Sequence, residues 1–244
     1  MYKIVFSATG RCEKVADAFC SVFENVEKID LSGDADAIEI PADELCLIAA
    51  SVYGGCVPAP AVDNLLKIKG AGAKAVIMAV YGNRDYDDAL TELKAVCETA
   101  GFTVVGAVAA VAQHSLLPAV AAHRPDAEDE KQLKAFAEKT AELTEPMKAV
   151  IKGKITQGAA HSLPVHPKTT KDCVKCGICA AKCPAKAISM DNPQLTQKDS
   201  CITCMRCVEI CPQNARVLLP AVMRMANPIM KKVWGKHTEN EFYL

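Results

Sequence analysis

Residues 173–184 read CVKCGICAAKCP, and residues 201–212 read CITCMRCVEICP. Each is a C-x2-C-x2-C-x3-C run closed by proline: Cys173, Cys176, Cys179, Cys183 and Pro184, then Cys201, Cys204, Cys207, Cys211 and Pro212. Two-residue gaps let one loop wrap three thiolates around the corners of a metal–sulfur cluster. A fourth cysteine three residues on points away, toward a neighbouring cluster. A structural zinc takes four ligands in two pairs and has no use for the third cysteine or the Cys-Pro end. A disulfide framework requires an oxidising compartment and usually a short secreted chain. Cluster binding uses every cysteine of both runs.

The doubled run resembles that of bacterial ferredoxins, in which three cysteines of one copy and the fourth of the other hold each cubane. The resemblance implies one [4Fe-4S] cluster on Cys173, Cys176, Cys179 and Cys211, and a second on Cys201, Cys204, Cys207 and Cys183, with electron transfer as the work. The copies are offset by 28 residues, about the size of half a pseudo-two-fold ferredoxin core, and a small α+β domain is expected over residues 170–218. Gly177, Ala180 and Ala181 permit close backbone approach in the first run. The bulkier Met205, Arg206, Val208 and Glu209 of the second run point to two unequal potentials.

Outward from this domain the composition changes. Residues 153–169 hold two glycines, two prolines and no apolar stripe, and read as a linker. Residues 219–244 are expected to be a tail packed on the domains. It carries Met223, Met225, Met230 and Trp234 among basic residues and can cover a cofactor. Residues 1–152 alternate β-rich runs with helical stretches, the pattern of a parallel sheet with helices on both faces. Strands are predicted at Lys3–Phe6, Val26–Ile29, Leu45–Ala50, Ala75–Val80 and Thr103–Val111, whose apolar runs suit burial on both sides. Helices are predicted at Arg11–Glu24, Ala61–Lys67, Tyr86–Ala100 and Ala127–Lys152, the last capped by Asp126 and open to a kink at Pro146.

The whole chain of 244 residues is half apolar with a net charge of −1, which gives a nucleic-acid partner no support. The N-terminus has no signal-peptide pattern and no apolar run is long enough for a transmembrane helix. A cytoplasmic protein of low-oxygen cells is expected.

Strand Lys3–Phe6 feeds into Ser7-Ala8-Thr9-Gly10-Arg11-Cys12 and then a helix. Such a unit aims backbone N–H groups, hydroxyls and a positive dipole end at one point, and suits a phosphate. Here the sequence resembles flavodoxin, whose phosphate loop follows Ser/Thr-x-Thr-Gly-x-Thr: Ser7, Thr9 and Gly10 match, while Cys12 replaces the last hydroxyl and Arg11 offers a charge-assisted contact. After the third and fourth strands come Ser51-Val52-Tyr53-Gly54-Gly55 and Tyr81-Gly82-Asn83-Arg84-Asp85-Tyr86-Asp87, at sheet ends where open α/β sheets bind ligands. Three of the five tyrosines lie in these loops. The resemblance implies FMN, with Ser7 to Cys12 at the phosphate and Ser51 to Gly55, Tyr81, Gly82, Asn83, Tyr86 and Asp87 around the ring. It also implies a doubly wound five-stranded sheet of order 2-1-3-4-5.

Together the halves resemble flavodoxin–ferredoxin fusion proteins of anaerobic bacteria, typified by residues 81–90 and by Ala112-Gln113-His114-Ser115. Membership implies an electron relay between FMN and the clusters, with redox proteins as donor and acceptor. Two other readings remain: a reductase of a small organic acceptor seated over the flavin, and a ferredoxin whose flavodoxin-like half merely docks a partner. His114 falls at the same sheet edge and can donate to flavin or substrate. Cys12, at a helix N-terminus, is open to a lowered pKa. Cys20, Cys46 and Cys97 read as small buried apolar groups. Neither substrate nor oligomeric state is legible.

Overall fold

In a computed structural model, which describes residues 1–153, 165–218 and 228–244, the five apolar runs become five parallel strands. They are β1 (Tyr2–Phe6), β2 (Glu27–Asp30), β4 (Leu45–Ser51), β6 (Lys74–Tyr81) and β7 (Thr103–Val111), adjacent in the order β2-β1-β4-β6-β7. This is the predicted 2-1-3-4-5 arrangement. Two further short strands, β3 (Ile38–Glu39) and β5 (Ile68–Lys69), pair separately.

Alternation along the strands splits the core into two layers. Ile4, Phe6, Ile48 and Ile77 face α2 (Ala59–Leu65) and α3 (Ala89–Thr99), where Leu65, Leu90 and Leu93 meet them. Val5, Leu47, Val76 and Met78 face α1 (Arg11–Cys20) and α4 (Ala127–Ala141) through Val15, Phe19, Leu133 and Phe136. Asp126 caps α4 as expected, in a capping box with Asp129.

α2 keeps its predicted length but lies two residues earlier, at Ala59–Leu65 rather than Ala61–Lys67, and the other three helices are shorter than predicted. α1 stops at Cys20, four residues early. α3 begins at Ala89 rather than Tyr86, because Asp87 takes a positive φ of 45° and breaks the helical path. α4 ends at Ala141, and the chain beyond leaves the helix to bond edge strands: Met147 N–H donates to Val104 O and Ala149 N–H to Leu244 O.

The sheet also has a sixth strand that the sequence did not announce. β10 (Glu241–Tyr243), from the tail, pairs antiparallel with β7. It covers an apolar edge that would otherwise offer unpaired backbone to another chain. The tail is fastened beside it by a buried cluster. Arg124 (9% exposed) pairs with Asp129 (3%) and donates to Thr238 O at 2.9 Å. Asn240 donates to Asp129 Oδ1 and accepts from Val111 N–H, both at 2.9 Å.

In the C-terminal part, β8 (Lys168–Thr169) and β9 (Arg216–Val217) pair antiparallel, with α5 (Ile178–Ala181) and α6 (Arg206–Glu209) between them. β8 takes the last two residues of the expected linker; residues 154–164 of that linker, and Met223 and Met225 of the tail, lie outside the described residues. The 28-residue repeat is written in the backbone. Lys175 and Thr203, Gly177 and Met205, and Lys186 and Asn214 are three pairs at that offset, all with positive φ. The parts meet through Arg11–Glu209 (2.9 Å), Lys186–Asp34 (2.8 Å) and the packing of Ile202 and Cys204 against the first core layer. Among the described residues no helix is long and apolar enough to cross a membrane.

Candidate functional site

The two turns of each cysteine run, tightened by their positive-φ residues, curl the thiols around two hollows. Cys173, Cys176, Cys179 and Cys211 line one; Cys183, Cys201, Cys204 and Cys207 line the other. The three-plus-one crossing between copies is thus present in the fold. Cys211 receives the Ala215 N–H at 3.2 Å. Burial works to raise its thiol pKa, but N–H groups of Ala215, Gln213 and Arg216 and the Arg216 guanidinium outweigh it, and the pKa falls. Burial pushes Cys204 and Cys207 up to about 12, so metal must displace their protons. Four cysteines lining one hollow are a donor set that suits a multi-metal cluster, and backbone N–H groups at the Cys211 sulfur suit its negative charge.

At the C-terminal ends of β1, β4, β6 and β7 lies a cavity of about 370 Å³. Of the sequence-predicted residues, Thr9, Arg11, Cys12, Ser51, Val52, Tyr53, Gly54, Gly55, Tyr81 and Gly82 line it. Three others support the first loop from beneath. Ser7 Oγ accepts from Glu13 N–H at 3.0 Å and Ser7 N–H donates to Ser32 Oγ at 2.8 Å. Ala8 is buried in the core, and Gly10 (φ 78°) turns the chain into α1.

Asn83, Tyr86 and Asp87 are not on the cavity wall. The Asn83 amide donates to Trp234 O and, at 2.7 Å, to Lys236 O, tying down the tail. Tyr86 is fully buried; it and Tyr243 both donate to Glu241 Oε2 at 2.6 Å. Asp87 pairs with Arg84 and packs on Gly55, where a Cβ would clash with Asp87 Oδ2. With φ at 85°, Gly55 has a steric and a conformational reason to be glycine.

The sequence missed most of the far wall. Ile202, Val165 and Leu218 of the cysteine-rich part, and Met230 and Trp234 of the tail, complete it with Leu116 and Leu117. Trp234 and Met230 carried a signal as apolar residues in a basic tail, and Leu116 and Leu117 fall within Gln113–Arg124, the stretch between the fifth strand and its helix that the reductase reading offers as a pocket. Trp234 lies parallel to the His114 ring, centroids 6.0 Å apart. His114 packs over Gly82, and its Nδ1 accepts from Leu116 N–H at 3.1 Å, so the neutral ring carries its proton on Nε2. Burial, then the charges of Arg11 and Arg84, lower its pKa to about 4.

The Arg11 guanidinium spans the junction: Nε donates to Gln113 Oε1 at 3.2 Å and Nη2 meets Glu209 at 2.9 Å. Nη1 is buried and, among the described residues, without a partner, an open donor that suits an anion. Cys12, from which no catalysis is expected, shows no lowering from its place at a helix N-terminus: burial pushes its thiol up to about 12.

Residues 172–216 match the family model of the 4Fe-4S dicluster domain. The first part is similar to solved flavodoxins. That of Streptococcus pneumonia TIGR4 is 18% identical over 57% of this chain and 97% of its own, with a TM-score of 0.41. Oxidised flavodoxin 1 from Bacillus cereus is 20% identical over 59% of this chain and 98% of its own, with a TM-score of 0.42. No curated protein matches. By its sheet order the first domain has the flavodoxin-like fold, and a 4Fe-4S domain follows it. The chain thus joins a sheet of flavodoxin-like order to a stretch that matches the 4Fe-4S dicluster model.

Proposed function

We propose that the chain relays electrons between an FMN and two [4Fe-4S] clusters, exchanging them with redox proteins as donor and acceptor. One observation carries the reading: the large cavity and the two cysteine nests follow one another in space. Ile202 lines both the cavity and the Cys183/Cys201/Cys204/Cys207 nest, and Arg216 lines the nest beyond, beside Cys211. A flavin takes one or two electrons and each cubane one, so their union joins two-electron to one-electron chemistry.

The chain's own residues divide the work of holding them. Thr9, Gly10 and the start of α1 would receive the phosphate, with Arg11 Nη1 as its charge-assisted donor. Cys12 stays a neutral thiol and adds no repulsion there. Tyr53, Leu116, Met230 and Trp234 supply apolar wall for a flat ring. The Gly54–Gly55 backbone and His114 Nε2–H supply polar contacts at its edge. The tail excludes water from that side and blocks the approach of a bulky partner to the ring. Traffic with proteins then favours the Cys173 nest, whose Cys176 is exposed.

The test is composition after purification without air. The relay expects about eight iron, about eight sulfide and one FMN per chain. Protein that is colourless, or carries zinc in the nests, sinks it. Turnover of quinones or nitroaromatics faster than with free FMN would instead favour the reductase reading.

A further inference from the structure

We propose that Arg216 is a redox-tuning residue, a buried cation set between the two cysteine nests that eases electron entry into both. The inference rests on both nests holding [4Fe-4S] clusters. Arg216 is 2% exposed. Its Nη1 donates to Thr196 Oγ1 at 2.7 Å and weakly to Pro167 O at 3.5 Å, and its Nη2 to Pro193 O. Thr196 and Pro167 line the hollow of Cys183, Cys201, Cys204 and Cys207; Pro193 lines the other hollow, as does Arg216 itself. The guanidinium therefore sits in the wall between the nests.

Its partners are all neutral oxygens, and among the described residues no carboxylate pairs with it. A buried cation without a counter-charge is costly, and a guanidinium keeps its charge at any working pH. The anions within reach are the thiolates: its charge acts on Cys207 of one nest and Cys211 of the other. Its Nε–H is buried and has no partner among the described residues, a donor left over for sulfur.

The internal repeat supplies a control. Twenty-eight residues upstream of Arg216 stands Ile188, buried at 5%. The half-fold accepts an apolar side chain there, so a guanidinium is not what the architecture requires.

A fixed positive charge favours the reduced, more negative state of each cluster. At an effective dielectric of about 20, a unit charge about 12 Å away changes an equilibrium about tenfold. The experiment is an anaerobic titration of the full chain with dithionite, followed by electron paramagnetic resonance. Each cluster takes one electron, and dithionite is oxidised to sulfite. Arg216→Gln and Arg216→Ile should lower both midpoints, by about 59 mV for a tenfold shift in a one-electron couple. Arg216→Lys, which keeps charge but loses the fork, should stay near the parent.

Gln and Ile variants that hold full iron and sulfide at unchanged midpoints overturn the proposal and leave the cluster reading intact. Loading by the Lys variant alone supports a need for the charge. Loss of iron from all three assigns Arg216 to structure only and also overturns it. A parent without iron and sulfide defeats the cluster reading itself.

Discussion

Replacing Arg11 with alanine tests the proposed phosphate end of the cavity. The native guanidinium commits Nε to Gln113 and Nη2 to Glu209, and leaves Nη1 buried without a partner among the described residues. A hydrogen bond from that donor to a phosphate oxygen is worth about 1.5–3 kcal/mol, or about 10- to 150-fold in Kd. The Arg11–Glu209 pair is half-exposed on the glutamate side and contributes only about 0–1 kcal/mol to docking the domains. Arg11→Ala should therefore weaken FMN by about 10- to 150-fold while hardly touching riboflavin, which has the same ring and no phosphate. Titrating flavin-free protein with each ligand, by quenching of flavin fluorescence, reads both numbers. Equal losses for the two ligands would assign Arg11 to the shape of the cavity, and no loss for either would remove it from the site.

Other predictions follow from buried groups. His114 has a folded pKa of about 4, below its ordinary 6.5. Between those values the unfolded chain binds the extra proton, so this histidine makes stability fall as pH drops from 6.5 toward 4, by on the order of 3 kcal/mol. His114→Gln should flatten that part of a denaturation-versus-pH curve, and an unchanged slope contradicts the assignment. Gly55→Ala should distort the cavity rim by driving a Cβ into Asp87. Adding Asp87→Gly, which also removes the Asp87 Cβ that would stand at 2.9 Å, should relieve the clash but leave about 1–2 kcal/mol of left-handed strain at position 55, measurable by thermal melts; no recovery in the double variant refutes the contact. Asp129→Asn should cost about 3–5 kcal/mol in denaturant melts by leaving Arg124 buried and unpaired. A change below about 1 kcal/mol would mean the pair does not anchor the tail.

The strands of the first domain were legible because sheets buried on both faces need uninterrupted apolar runs, and Thr103–Val111 was read to the residue. The crossing of the cysteine nests was expected from the resemblance of the doubled run to bacterial ferredoxins, while the two-residue gaps explain only why one loop can gather three thiols. What failed depended on distant partners. β10 is three residues, EFY, with no periodicity of its own; only the bare edge of β7 explains it. Tyr86 looked like a ring-facing tyrosine because a loop sequence does not say which way it points. Its real partners, Glu241 and Tyr243, lie more than 150 residues away. The composition of α4 continues past Ala141, yet the chain there bonds Val104 and Leu244 instead. Arg216 belongs to no motif, and its place between the nests follows only from the repeat closing on itself.

The most direct measurement of the relay is pulse radiolysis of the anaerobic protein, which places one electron on a single centre and follows absorbance at flavin and cluster wavelengths. An electron redistributing between flavin and clusters at a first-order rate independent of protein concentration is the result expected of centres sharing one chain in this order. A rate that scales with concentration, or no redistribution at all, would contradict it.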